Sequence, residues 1–310
     1  MVLVLVEEAG GKATDPSLQA LTFARALGAP VHALLIGKEV DLGRHGVAVA
    51  HVALHEGLDS FAPDAWAAIL GQLGDRLQAG SIIAPGTERG NEVMARAAAR
   101  MGLPLAASCI AVTPGEPLTL TRQRWGGSLL EEARLHAKPA LLTVAPHTVA
   151  IEQVPMETKV EMFEPQLKDQ ELTVKVLERV TSKGGVSLAE AKVVVSGGRG
   201  VGSKEGFAII EELASLLGGA VGGSRVVTSA GWRPHSDQVG QTGTKISPEL
   251  YIACGISGAT QHMAGCKGAK RILAINADAE APIMLNADYA VIGDLKEIVP
   301  AISAEIRKQR

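Results

Sequence analysis

Over the first 145 residues, short apolar runs alternate with amphipathic segments. Residues 2–6 and 31–36 read as buried strands, with a helix over about 16–27 between them. A strand over 47–54, a helix over 65–77, a strand over 81–84 and a helix over 88–101 continue the pattern. Strands joined by helices predict a parallel sheet covered on both faces. Residues 118–124, 132–136 and 140–145 then follow as strands without helices, which predicts antiparallel members at the end of that sheet. Between 152 and 180 the alternation at Leu172, Val174 and Val176 suits one more strand. Ser182-Lys183-Gly184-Gly185 is the candidate linker. It divides an N-terminal α/β domain, 1–185, from a C-terminal doubly wound domain, 186–310, and a hinge near residue 184 would let the second turn.

The second half has a sharper pattern. An apolar strand, Val193-Val194-Val195, runs into Ser196-Gly197-Gly198-Arg199-Gly200-Val201-Gly202. A helix follows with Phe207, Ile210, Leu213 and Leu217 on one face, stopped by Gly218-Gly219. A second apolar strand over 250–254 leads into Gly255 to His262, and strands over 271–276 and 289–292 end at Asn276 and at Gly293-Asp294. Strands that end in glycine and open a helix are where α/β proteins hold phosphate-bearing cofactors, and polar residues at successive strand ends converge on one crevice.

Composition narrows the classes. Hydrophobic residues make up 46% and charged residues 20%, as in a globular chain. A net charge of −3 gives no footprint for a nucleic-acid backbone, and 3% aromatics leaves little for base stacking. No apolar run reaches the roughly 18–20 residues of a membrane span. The first apolar run is followed at once by Glu7-Glu8, so it reads as a strand and not a signal peptide. Cys109, Cys254 and Cys266 form no CxxC pair; they read as core residues in a reducing cytoplasm.

Four loops carry the candidate chemistry. The first, Pro85 to Asn91, sits where a nucleotide loop sits, yet also suits a plain strand-to-helix turn with Thr87 as cap and Glu88 in the first turn. The second, Ser196 to Gly202, offers free backbone N–H groups and Arg199, an arginine able to grip a pyrophosphate. It is not GxGxxG, because Ser203 stands at the third glycine position. In Ser224-Arg225 and Gln238 to Gly243, Arg225 suits stacking on a flat ring or neutralising charge on it, and the Thr242 hydroxyl suits a ring nitrogen. In Gly255 to His262, Ser257 reads as an N-cap, with Gly258, Ala259 and Thr260 opening a helix and His262 in its first turns. No Ser-His-Asp or metal-ligand spacing is present, so no catalytic residue is expected.

Taken together, VVSGGRGVG, GGSR, QVGQTG, PELYIACGISGATQHMAG, AIN and ADYAVIGDL resemble the α-subunit of electron-transfer flavoprotein, in the family's order and across nearly all of residues 191–310. The N-terminal half resembles it in general architecture. The resemblance implies a heterodimer with a β-subunit and one FAD held mainly by the C-terminal domain. It implies a carrier of electrons from acyl-CoA or other dehydrogenases to a membrane-bound quinone oxidoreductase. By resemblance Arg199 and Ser224 would meet the ribityl-phosphate region, and Arg225 would lie over the flavin ring. Val239, Gly240, Gln241 and Thr242 would line the flavin, with Thr242 near N5. Ser257, Gly258, Ala259, Thr260 and Gln261 would wrap the pyrophosphate, and His262 would approach the N1/O2 edge. Asn276, Asp294 and Leu295 would hold the adenosine end. Reduction adds negative charge to a flavin, and Arg225 with a protonated His262 would stabilise it. One departure is that Thr244 precedes Lys245 where the family often has lysine directly, which leaves Lys245 without a role. Other readings of the same loops are a bifurcating relative that uses NADH, a non-redox holder of an adenine nucleotide, and a thiamine- or NAD-dependent enzyme with a similar domain.

Overall fold

The computed structural model describes residues 1–127, 129–174, 176, 187–189 and 191–309. The chain forms two compact units, Met1–Arg179 and Val180–Arg310. The expected linker at 182–185 lies outside the described residues.

In the first unit the strands are β1 (Val2–Leu5), β2 (Val31–Ile36), β3 (Val49–Ala53), β4 (Ser81–Pro85), β5 (Leu105–Thr113), β6 (Leu118–Arg124), β7 (Leu129–Leu135), β8 (Ala140–Val144) and β9 (Lys159–Phe163). They make one sheet in the order β9-β3-β2-β1-β4-β8-β5-β6-β7. All pairs are parallel except β5 with β6 and β6 with β7. Every residue of β1 is buried, and alternate side chains go to opposite cores. Val2 and Val4 pack with helix α1 (Asp15–Arg25), and Leu3 and Leu5 with α2 (Pro63–Arg76) and α3 (Glu88–Met101). Burying each such side chain stabilises the unit by roughly 1.5–3 kcal/mol before the entropy of ordering.

Two expectations need correction here. The antiparallel hairpin exists, but Ala140–Val144 is a parallel strand between β4 and β5, and β5 went unforeseen. Its sequence, LAASCIAVT, is half-buried and rich in small residues, so no clean alternation marks it. The last strand is Lys159–Phe163; Leu172 closes a single-turn helix, Asp169–Leu172, and Val174 is exposed. Alternation there reflects a loop that sends Leu167 and Leu172 against the core. The Pro85–Asn91 loop is a capped turn: Thr87 Oγ1 accepts from Gly90 N at 2.9 Å and donates to the buried Glu7 carboxylate at 2.6 Å.

The second unit is a five-stranded, all-parallel sheet of β10 (Val193–Gly197), β11 (Ala220–Gly223), β12 (Leu250–Cys254), β13 (Ile272–Asn276) and β14 (Tyr289–Ile292). Its order is β11-β10-β12-β13-β14. Helices α4 (Ala208–Leu217) and α7 (Leu295–Lys308) cover one face through Phe207, Ile210, Leu213 and Val299. Short helices α5 (Arg225–Ser229) and α6 (Thr260–Cys266) follow β11 and β12. The chain moves from β10 to β11 on one side and then crosses to β12 on the other, so the strand order reverses between β10 and β12. Such a switch point opens a crevice at the carboxyl ends of the strands. Strand β11 also went unforeseen, since AVGG carries no strand signal. A Cβ on its Gly222 would stand 2.3 Å from Ser196 Oγ, so a side chain there would have to displace Ser196. Among the described residues no helix is long and apolar enough to cross a membrane.

Candidate functional site

The crevice is a cavity of about 760 Å³ within the second unit. That is ample for a cofactor-sized ligand. It is walled by the turn after β10, the start of α5, the Gln238–Thr242 loop, and the turn after β12. Backbone close approach holds these walls together. A Cβ on Gly198 would lie 2.3 Å from Gly255 O, and one on Gly200 would lie 2.8 Å from Gly255 Cα. The two turns therefore touch main chain to main chain, tied by Gly198 N donating to Cys254 O at 2.8 Å and Gly200 N to Gly255 O at 3.1 Å. Gly265 does the same for the third wall: a Cβ there would stand 2.3 Å from Gly240 N, so only glycine lets the loop rest on α6.

The polar groups facing this space are few and poorly satisfied. Arg199 and Arg225 line it and are exposed, and among the described residues neither forms an ion pair. Arg233 nearby is engaged instead with Glu211, Asp237 and the Phe207 ring. Ser224 Oγ is buried without a hydrogen-bond partner, and His262 Nδ1 has none of good geometry, although the Val239 main chain lies close enough to favour the charged imidazole. An unpaired buried polar atom costs roughly 1–3 kcal/mol, which a bound ligand with a matching group would offset. Asn276 is braced by donating from Nδ2 to Ile256 O at 2.9 Å and accepting from Asp278 N at 3.1 Å.

His262 is 7% exposed, and Tyr251, which is wholly buried on β12, holds its Nε2 at 2.7 Å. Burial pulls the imidazole pKa down to about 4, opposed in part by the Val239 main chain. Burial therefore favours the neutral ring, and the cations that line the cavity are Arg199 and Arg225.

Of the anticipated residues, Arg199, Ser224, Arg225, Val239, Gly240, Gln241, Thr242, Ser257, Ala259, Gln261, His262 and Asn276 line one cavity. Gly258, Thr260, Asp294 and Leu295 do not. Gly258 is a turn glycine at φ +82° pressed against Ile283. Asp294 caps α7 by accepting from Lys296 N, and Leu295 is core beneath the glycine turns. The expected Ser257 cap is also displaced. Helix α6 begins at Thr260 with Ala259 in the cap position and no side-chain cap, because Gly258 bends the chain first. Sequence reading passed over Gln238, which is 2% exposed and lines the cavity. Its place at the head of the QVGQTG stretch was the one signal available. Among the described residues no cluster of three His, Cys, Asp or Glu side chains is placed to hold a metal ion.

Known proteins agree with the class this site defines, a domain built for a phosphate-bearing aromatic cofactor. Residues 187–267 match the electron transfer flavoprotein FAD-binding domain, and residues 2–178 match the electron transfer flavoprotein domain. The latter covers the half whose sequence resembled the family only in architecture. The chain is 38% identical to Protein FixB of Clostridium saccharobutylicum, over 99% of this chain and 96% of that one. It is 36% identical to the electron transfer flavoprotein subunit alpha of Thermoanaerobacterium thermosaccharolyticum, covering 99% and 98%. It is 33% identical to that of Bacillus subtilis, covering 99% and 97%. The chain belongs to the electron-transfer flavoprotein α-subunit family, and the cofactor of its C-terminal domain is FAD.

Proposed function

We propose that this chain, paired with a β-subunit, is a one-FAD electron carrier that accepts electrons from acyl-CoA or other dehydrogenases and delivers them to a membrane-bound quinone oxidoreductase. The observation that carries this reading is the convergence on one cavity of two unpaired arginines, Thr242, and two buried polar atoms, Ser224 Oγ and His262 Nδ1. A simple adenine-nucleotide holder has no use for a cation, a hydroxyl and an imidazole arranged beyond its phosphates.

When bound, FAD supplies the redox chemistry, and the chain supplies position and electrostatics. Arg199, Ser224 and the Ser257–Gln261 turn, with Gly258 and Thr260 shaping it, would hold the phosphates. Asn276 would hold the adenosine end, with Asp294 and Leu295 supporting it from behind. Val239, Gly240 and Gln241 would exclude water from one side of the ring. Arg225, free of any carboxylate, would offset negative charge arriving on the ring, and His262 would offer a neutral N–H to its edge. No residue need act as nucleophile or general base. The domain division near residue 185 and a cytoplasmic setting belong to the same reading; all three cysteines are free and buried, as suits a reducing compartment.

The test is the visible spectrum of the complex during dithionite titration. Flavin bands that bleach and return on reoxidation are expected. A colourless complex that stays so after added FAD would put an adenine nucleotide in the flavin's place.

A further inference from the structure

Behind the exposed Thr242 lies a short side-chain relay through the buried Gln238. Gln238 is 2% exposed, and its Nε2 donates to Thr242 Oγ1 at 3.0 Å. At its other end, Gln238 Oε1 accepts from Thr228 Oγ1 at 2.8 Å. The Thr228 hydroxyl also stands 3.1 Å from the Arg225 carbonyl. Main chain pins Gln238 as well: its N–H donates to His235 O, and its carbonyl accepts from Thr244 N at 2.7 Å. Gly243 exists because a Cβ there would lie 2.3 Å from that carbonyl.

An amide carries donors at one end and an acceptor at the other, and in the structure the Nε2 end meets Thr242 while the Oε1 end meets Thr228. A hydroxyl has a single proton. With one Thr242 lone pair already taken by Gln238, that proton points away from the relay, and no described residue accepts it. Thr242 is exposed and lines the cavity.

We infer that Gln238 is a positioning residue: by donating to Thr242 Oγ1 it makes the Thr242 hydroxyl a dedicated proton donor to an acceptor atom of the bound ligand. Resting on the FAD reading above, that atom is the unprotonated ring nitrogen N5. Preorganisation of this kind avoids the cost of turning a hydroxyl at the moment it is needed. Thr228 acts one step further back and touches no ligand.

The test uses the FAD-loaded complex with its β-subunit, with FAD isotope-labelled at N5 and the oxidised N5 resonance followed by NMR against pH. Thr242→Val gives the position of an N5 without its donor. Wild type is expected to stay at the hydrogen-bonded position at every pH. In Gln238→Glu the side chain keeps its length but changes polarity on ionising. Protonated, the introduced carboxyl donates to Thr242 as the amide does. Ionised, it accepts the Thr242 proton and takes it from N5. The resonance should therefore titrate, from the wild-type position at low pH to the Thr242→Val position at high pH. Gln238→Met, which keeps bulk and removes both polar ends, should shift part of the way with no titration. A merely structural Gln238 moves none of this: wild-type resonances in both Gln238 variants, beside a shifted Thr242→Val, overturn the relay. An unshifted Thr242→Val places the threonine away from N5 and overturns the flavin assignment of Thr242 together with the relay.

Discussion

Tyr251 on β12 and His262 on α6 meet at 2.7 Å, hydroxyl to Nε2, in a buried contact, and His262 lines the cavity. Tyr251→Phe keeps the ring and removes that partner. Leaving Nε2 buried and unpaired should cost about 1–3 kcal/mol in chemical unfolding of the complex. A variant as stable as wild type would show that the contact contributes nothing.

Acid sensitivity follows from His262. Its folded pKa, about 4, lies below the ordinary 6.5. The unfolded chain therefore takes up this proton first, and the stability it confers is complete above pH 6.5 and lost as pH falls toward 4. The window represents on the order of 3 kcal/mol. His262→Gln should flatten that part of the acid limb, as read from denaturant midpoints across the window.

Glu7 in the first unit has the opposite sign. Burial raises its pKa, and Thr87, Arg89 and the Gly90 backbone offset this only in part. The folded chain holds this proton longer than the unfolded one, so stability falls as pH rises through the raised value. Glu7→Gln keeps an acceptor for Thr87 and should remove that fall. Thermal midpoints that decline equally with pH in both chains would exclude it.

Arg225→Ala tests the electrostatics. The side chain is exposed and unpaired, so stability should change by less than about 0.5 kcal/mol. The flavin midpoint potential of the complex should nonetheless fall, because a cation that offsets added negative charge is gone. Spectroelectrochemistry reads this directly, and an unchanged potential would remove Arg225 from the role.

Gly265→Ala tests the architecture. Its methyl would stand 2.3 Å from Gly240 N and 2.4 Å from Gly240 Cα, so the Val239–Gly240 segment must lift off α6. About 1–3 kcal/mol of destabilisation and a marked loss of FAD retention on gel filtration are expected.

Much of this was legible in sequence order. Val193–Val195 and Leu250–Cys254 are continuous apolar runs that lead into glycine-bearing turns, and that local grammar locates the cofactor crevice from the sequence. Helix α3 was expected over 88–101, and Thr87, one of the two readings of its loop, is its cap. The strands that went unseen, Leu105–Thr113 and Ala220–Gly223, owe their state to neighbours: they are small-residue segments recruited by pairing with β8 and β10.

The site divides the same way. By itself the sequence determined which residue types stand at the strand ends, and hence the class of ligand and the family. Tertiary structure alone decided their chemical state. Gln238 came to bridge Thr228 and Thr242 because folding set it between them, and burial beside Tyr251 lowers the His262 pKa by disfavouring the cation. Asp294 was taken for a cap and Leu295 for the core. Residue identity and spacing are written along the chain, whereas desolvation and hydrogen-bond direction depend on atoms distant in sequence, and these exist only once the sheet has formed.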